Sequence, residues 1–370
     1  MRPTRTILHV ITSIEPGGAE HHLLSLAKAQ VEQGDQVTVA YLKESFRNLR
    51  SQLNEAGISV VSLGLTWYGQ IAPIKALRTL IQQREPDLIH AHLPPAELYA
   101  RLALIGRSKK AFVISKHNDE RFAPIPLPNR LASWVAGRAE KVICISKAVE
   151  KYWLDASVIS KKQSELVYYG MEPVQNPDGA QFRGHLGVRS EAVLFGFVGR
   201  LVPQKAVENL IAAFASLKAP NAHLAIVGDG PLEKKLREKV IALDIEGKVS
   251  FTGYRDDIPT VIAGIDVLVL GSNYEGFGLV LLEAMNAGKP ILATRVSAIP
   301  EVVEDESTGI LVPPRDPQKM MEGMSRMMCK KTRQEMGNAA LIRVGGSFGI
   351  DRMVKQTQQV YDRALNGCVA

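Results

Sequence analysis

Glu275 and Glu283 lie eight positions apart in NYEGFGLVLLEAMNAGKPI (273–291), the first in a glycine turn and the second inside an apolar run. Gly276 and Gly278 permit a tight turn, and LVLLEAMNA reads as a helix closed by Gly288 and followed by Pro290. The start of such a helix carries unpaired N–H groups and the positive end of its dipole, which together suit a phosphate. A carboxylate beside a phosphate is repelled unless it is aimed at hydroxyls. The two requirements meet in a ligand bearing both groups, a nucleotide sugar. The competing reading makes Glu275 a helix cap and Glu283 a solvated helix residue. Against it, LVLLEAM is apolar nearly all round, which puts Glu283 at least partly below the surface, where a carboxylate needs a partner.

Other loops that follow strand-like runs carry the remaining candidates. After VLFGFVG comes RLVPQK, with Arg200 and Lys205 able to neutralise a diphosphate, one as a fork and one as a point charge. VGDGPLEKK offers Gly228 and Gly230 but has Glu233 in place of the third glycine of a dinucleotide fingerprint, so a plain tight turn is the better reading. Gly17 and Gly18 let backbone approach a ligand closely after the first strand. His90 and His92 end DLIHAH and point the same way, yet no third ligand for a metal accompanies them in the sequence. His117 ends AFVISKH at the same rim and is a candidate to touch a transferred group. The chain has no Asp-x-Asp pair, which leaves charge stabilisation to Arg200, Lys205 and the helix end rather than to a divalent cation.

These loops need a frame. Short β-branched runs alternate with amphipathic ones over the 370 residues, seven strand-like runs before residue 173 and six after 184. Strict alternation predicts parallel sheets with helices on both faces, hence an α/β fold of two Rossmann-like doubly wound domains facing a central cleft. PVQNPDGAQ (173–181) breaks the pattern. The expected organisation is an N-terminal domain over 1–172, a linker over 173–183, a C-terminal domain over 184–345 and a terminal helix within 346–370. That helix has apolar positions Ile350, Met353, Val354, Val360, Tyr361, Ala364 and Leu365, and is expected to brace the domains or pack back on the first.

Composition narrows the classes further. With 46% hydrophobic and 22% charged residues the chain is neither disordered nor fibrous. The N-terminus makes a poor secretory signal, and no run suits a membrane-spanning helix, so a soluble protein is expected. Three widely spaced cysteines, Cys144, Cys329 and Cys368, suit a reducing cytosol without structural zinc. The net charge of +7 concentrates in the first half, and residues 101–162 hold 13 basic against 5 acidic residues, including Arg107, Lys109, Lys110, Arg121, Arg130, Arg138, Lys161 and Lys162. That stretch reads either as a surface for an anionic partner or as a solvated face with none.

As an ordered set, GGAEH (17–21), VGRLVPQK (198–205), VGDGPLEKKL (227–236), VSFTGYRDDIP (249–259), SNYEGFGLVLLEAMNAGKPILAT (272–294), IPEVVEDESTGILVPPRD (299–316) and the terminal VYDRAL resemble the family 4 retaining glycosyltransferases of GT-B fold. The resemblance is dense over 193–316 and sparse in the first half. It implies that Glu275 contacts the transferred sugar, that Glu283 holds the donor ribose, and that Arg200 and Lys205 hold the diphosphate and stabilise it as it leaves. It also places the backbone of Gly276, Phe277, Gly278 and Leu279 near sugar and phosphates, His117 near the sugar, and Gly17 and Gly18 in a flexible loop between donor and acceptor. The implied reaction moves a sugar from a nucleotide diphosphate to a hydroxyl with retention, the leaving phosphate helping to deprotonate the acceptor. No protein nucleophile, cofactor or metal is expected beyond the nucleotide-sugar co-substrate. Two departures stand out: Ala206 where the family commonly has glycine, and Tyr169 where asparagine is usual, the latter expected to reshape the nucleotide pocket.

The acceptor implied by relatives is a glycan or lipid-linked molecule in bacterial surface polysaccharide or lipopolysaccharide synthesis, with the enzyme cytoplasmic and peripheral at the inner face of the membrane. An anionic membrane surface is then the candidate partner of residues 101–162, particularly NRLASWVAGRAEK. A nucleotide-sugar 2-epimerase shares the architecture but not the two-glutamate context. An NAD oxidoreductase lacks the glycine fingerprint. A non-enzymatic basic surface binder would fit pI 9.2, though no nucleic-acid motif supports it and no nucleic acid is expected as partner.

Overall fold

The computed structural model describes residues 4–106, 110–118, 129–173 and 178–367. The chain divides into two compact units, the first running to Gly170 and resuming at Ile350, the second from Met171 to Gly349.

Unit 1 is built on seven parallel strands: β1 (Thr6–Ile11), β2 (Gln36–Tyr41), β3 (Ser59–Ser62), β4 (Leu88–His92), β5 (Ala111–Lys116), β6 (Lys141–Cys144) and β7 (Ser164–Leu166). Their order is β3-β2-β1-β4-β5-β6-β7, with the reversal between β1 and β4. The central strands are buried along almost their whole length, which is why they read as unbroken apolar runs rather than alternating ones. Register sets His9 of β1 beside His90 of β4, and His92 beside Ser115 of β5.

Unit 2 repeats the plan with β8 (Val193–Val198), β9 (Ala222–Val227), β10 (Val249–Gly253), β11 (Val267–Leu270), β12 (Ile291–Thr294) and β13 (Gly309–Val312), in the order β10-β9-β8-β11-β12-β13. Its reversal lies between β8 and β11. The loops carrying Arg200, Lys205 and Glu275 leave the carboxyl ends of those two strands, where open parallel sheets hold ligands.

The last helix, Ile350–Gly367, buries Met353, Val354, Val360, Tyr361 and Ala364 against Ile7, Leu26, Leu88, Val113 and Ile143 of unit 1. Two expected boundaries shift. The linker ends earlier than residue 183, because Ala180–His185 is helical, with Phe182 fully buried and Arg183 paired to Asp266 at 3.0 Å. Residues 346 and 347 belong to the preceding helix, Lys330–Ser347. Residues 174–177 of the expected linker, together with Arg107, Lys109, Arg121 and Cys368, lie outside the described residues.

Candidate active site

In unit 2 the turn after β11 brings Glu275 and Lys205 together. Lys205 Nζ lies 2.6 Å from Glu275 Oε1, and the Ser272 hydroxyl donates to the same oxygen, also at 2.6 Å. Ser272 is held in turn, its carbonyl accepting from Thr294 Oγ1 at 2.6 Å. Gln204 and Asn273 stitch the two loops along their length, Asn273 N donating to Gln204 O at 2.8 Å and Gln204 Nε2 to Tyr274 O at 3.0 Å. Glu275 is 4% exposed, so its charge is sustained by the lysine and the hydroxyl rather than by water.

The helix Leu279–Asn286 begins at Gly278, whose φ of +83° is the left-handed conformation that glycine adopts without strain. The amides of Leu279 and Val280 find no acceptor among the described residues, as the first turn of a helix leaves them. Phe277 is buried edge-on against Phe348, which anchors the turn from below. Glu283, on the second turn, is half-buried and makes no hydrogen bond or ion pair within the described residues. Burial alone pushes its carboxyl up to about 7. This is a carboxylate waiting for donors.

Arg200 is exposed and unpaired among the described residues, on a loop whose course is forced by its neighbour. A Cβ on Gly228 would sit 2.1 Å from the Gly199 carbonyl oxygen, and Leu201 N donates to Asp229 O at 2.8 Å. Gly228 and Gly230 therefore let the loop after β9 press against the loop that carries Arg200. The same loop ends at Ala206, held at φ +45°, a left-handed conformation that glycine adopts without strain. The methyl is tolerated there at a cost of about 1 kcal/mol per left-handed residue.

Gly17, Gly18 and His117 belong to unit 1. Gly17 caps the helix Gly18–Glu32 in extended conformation. His117 is not free to meet a ligand through its ring nitrogens: Nε2 lies 3.0 Å from His92 Nδ1, and Nδ1 lies 2.5 Å from the Tyr169 hydroxyl. For His117 to touch a transferred sugar through a ring nitrogen, as expected, one of these two bonds would have to open. Tyr169, the other departure noted in the sequence, is a buried partner of His117.

Behind this pair runs a chain the sequence did not disclose. His92 Nε2 meets His9 Nδ1 at 3.0 Å, His9 Nε2 meets Gln30 Oε1 at 2.8 Å, and Gln30 Nε2 donates to the Tyr361 hydroxyl at 3.2 Å. That hydroxyl meets His90 Nδ1 at 2.7 Å, and His90 Nε2 meets Ser115 Oγ at 2.7 Å. His9 thus completes a three-histidine cluster with His90 and His92. All six ring nitrogens are occupied by these bonds, so the geometry is that of a relay of neutral imidazoles rather than an open ligand set. Burial drives His9 down to about 4 and His117 to about 3, and holds His90 and His92 well below the usual histidine range. Tyr361→Phe strands the Gln30 amide and His90 Nδ1, and should lower unfolding stability by about 2 kcal/mol in urea titration. An unchanged midpoint would show that the relay contributes nothing to the fold.

Sequence comparison gives the site its context. Residues 16–174 match the family described as Glycosyltransferase Family 4, and residues 180–343 match Glycosyl transferases group 1. An uncharacterized glycosyltransferase of Methanocaldococcus jannaschii is 31% identical over 235 residues, a match spanning 61% of this chain and 60% of that protein. A lipopolysaccharide core biosynthesis glycosyltransferase of Rhizobium meliloti is 26% identical over 302 residues, 80% of this chain and 81% of the other. The crystal structure of Anabaena HepE with UDP and glucose superposes with a TM-score of 0.85 at 23% identity, covering 97% of this chain and 99% of that one.

Proposed function

We propose a specific reaction for this chain, which belongs to glycosyltransferase family 4: it moves a sugar from a nucleoside-diphosphate donor to an acceptor hydroxyl with retention of configuration and without a metal ion. The observation that carries the reading is the Lys205–Glu275 pair beside the free amides of helix Leu279–Asn286, with unpartnered Glu283 one turn further on. Lys205, Arg200 and the amides of Leu279 and Val280 would receive the diphosphate, Glu283 the ribose hydroxyls, and Glu275 the sugar. The acceptor oxygen forms its bond to the anomeric carbon as the diphosphate leaves on the same face, and the hydroxyl proton passes to a leaving phosphate oxygen. Atoms balance without a protein nucleophile, and the protein's part is positioning and charge stabilisation. The donor class is supported by the fold neighbour solved with UDP and glucose, and by another HepE structure solved with UDP-glucose. Transfer from UDP-glucose to octyl glucoside in EDTA, followed by proton NMR of the product's anomeric coupling, tests the reading. Inversion, or loss of transfer in chelator, would contradict it.

For the acceptor we favour a lipid-linked or surface glycan, handled in the cytoplasm at the membrane's inner face, in keeping with the lipopolysaccharide relative. No helix among the described residues is long and apolar enough to cross a membrane. Much of the basic excess in 101–162 is spent internally, on the pairs Arg138–Glu140, Lys141–Glu165 and Lys161–Glu150. Arg130 and Lys162 stay exposed without an acidic partner among the described residues, and Trp134, 41% exposed under the Arg101 guanidinium, adds an aromatic anchor. In flotation at low salt the protein should prefer anionic over neutral vesicles, with Arg130→Gln and Lys162→Gln together lowering binding about 30-fold, roughly 1 kcal/mol per basic charge lost. Equal partitioning would remove the membrane from the account.

A further inference from the structure

In unit 1 the strand order reverses between β1 and β4, so the space beyond their carboxyl ends is where a doubly wound sheet holds a ligand. His22 sits on the second turn of the helix that follows β1, and helical side chains lean toward the helix N-terminus. Its ring stacks on Tyr169 with centroids 4.2 Å apart and meets His117 edge-on at 5.6 Å. Those two rings are locked by the relay beneath them, so they form a rigid platform. The neighbouring His21 is already spent, its Nδ1 lying 3.0 Å from the Gly17 carbonyl that caps the helix.

His22 is 5% exposed, and its Nδ1 is enclosed without a hydrogen-bond partner. Nε2 has no partner among the described residues either, but it is not enclosed. An enclosed N–H without an acceptor is rarer and less favourable than an enclosed lone pair, so the proton belongs on Nε2, the nitrogen that keeps contact with the surface. Burial and the nearby His117 hold the ring neutral. At the end of β1, Thr12 Oγ1 is a second enclosed polar atom with no partner.

We propose that His22 is a binding residue for a polyhydroxylated acceptor, donating its Nε2–H to a ligand hydroxyl beyond the carboxyl ends of β1 and β4. The choice of ligand class rests on the glycosyltransferase reading. A neutral N–H suits a hydroxyl, whereas a phosphate would be better served by a cation.

The test uses the full chain labelled with ¹⁵N-histidine, with methyl α-D-glucopyranoside as probe. The expected result is a shift of the His22 Nε2 signal on titration, with the His9 and His90 signals unmoved. In transfer to octyl glucoside, His22→Ala should lose about 30-fold in kcat/KM, while His22→Gln, which keeps a donor near the same place, should recover most of it. Thermal midpoints of both variants show that the fold is kept, and their affinity for UDP-glucose should match the wild type. A His22 signal that stays still at saturating probe, or equal activity losses in the two variants, would overturn the proposal. The two failures separate cleanly: the parent reading falls if the wild type binds no nucleotide sugar, whereas His22 stands or falls on its imidazole signal and the Gln rescue.

Discussion

Lys205→Ala will reduce kcat/KM for sugar transfer by about 10³-fold, roughly 4 kcal/mol of transition-state stabilisation. Two losses combine in that figure. On the proposed reaction the diphosphate would leave without its point charge, and Glu275, 4% exposed and 2.6 Å from the missing ammonium, would keep the Ser272 hydroxyl as its one side-chain partner among the described residues. A purely structural ion pair would also be damaged by this change, so a second variant is needed to separate the roles. Replacing both partners together, Lys205→Met with Glu275→Leu, removes the buried charges in a matched way and should restore much of the stability lost in the single variant. Turnover should stay at least as low as in Lys205→Ala. Thermal unfolding and donor turnover measured on all three proteins decide the matter: recovery of activity along with stability would reduce the pair to a fold element.

Glu283→Ala will weaken donor binding by about 100-fold, the loss of hydrogen bonds from ribose hydroxyls to a charged acceptor. The same position should show the opposite sign for stability. A carboxyl raised by burial to about 7 from an ordinary 4.5 disfavours the folded state once it ionises. The penalty is absent below the unfolded value, grows as pH rises from there to about 7, and is constant above. Glu283→Gln removes it and should stabilise the unliganded protein by about 1–2 kcal/mol at pH 8 after allowance for solvent screening, with no gain at pH 4. Ligand hydroxyls favour the ionised form, so donor affinity should climb with pH toward about 7 and then level off, and the climb should vanish in Glu283→Gln. A nucleotide sugar is the right probe because its diphosphate diester does not titrate there. Calorimetry across that range checks both slopes. A stability loss at pH 8 in Glu283→Gln would mean that the carboxylate has a structural partner after all.

Much of this was legible in the residues because it is local. The thirteen strands lie on the thirteen β-branched runs, and the glycine turn before Leu279 follows from Gly276 and Gly278 alone. The half-buried state of Glu283 follows from an apolar helix with one carboxylate on it. The Lys205–Glu275 contact was only half legible: each residue lies in the loop that follows a central strand, but that β8 and β11 are neighbours is a fact of topology. The histidine relay was hidden for the same reason. His9, His90 and His92 become one cluster only through the register of β1 on β4, and Gln30 and Tyr361 join it from helices 331 positions apart in the chain. The place of His117 at a strand end is visible in sequence, while the two bonds that occupy its ring are not. Ala206 stands where the resemblance implies glycine, and its left-handed backbone is one that glycine adopts without strain.

The most direct measurement is a calorimetric titration of UDP, GDP, ADP and their glucose conjugates into wild type, Glu283→Ala and Lys205→Ala. The account requires that one nucleotide series bind the wild type and that both variants bind it markedly more weakly. Binding of the same strength in all three proteins, or of no nucleotide to the wild type, would contradict the assignment of the donor site to Lys205, Glu275 and Glu283.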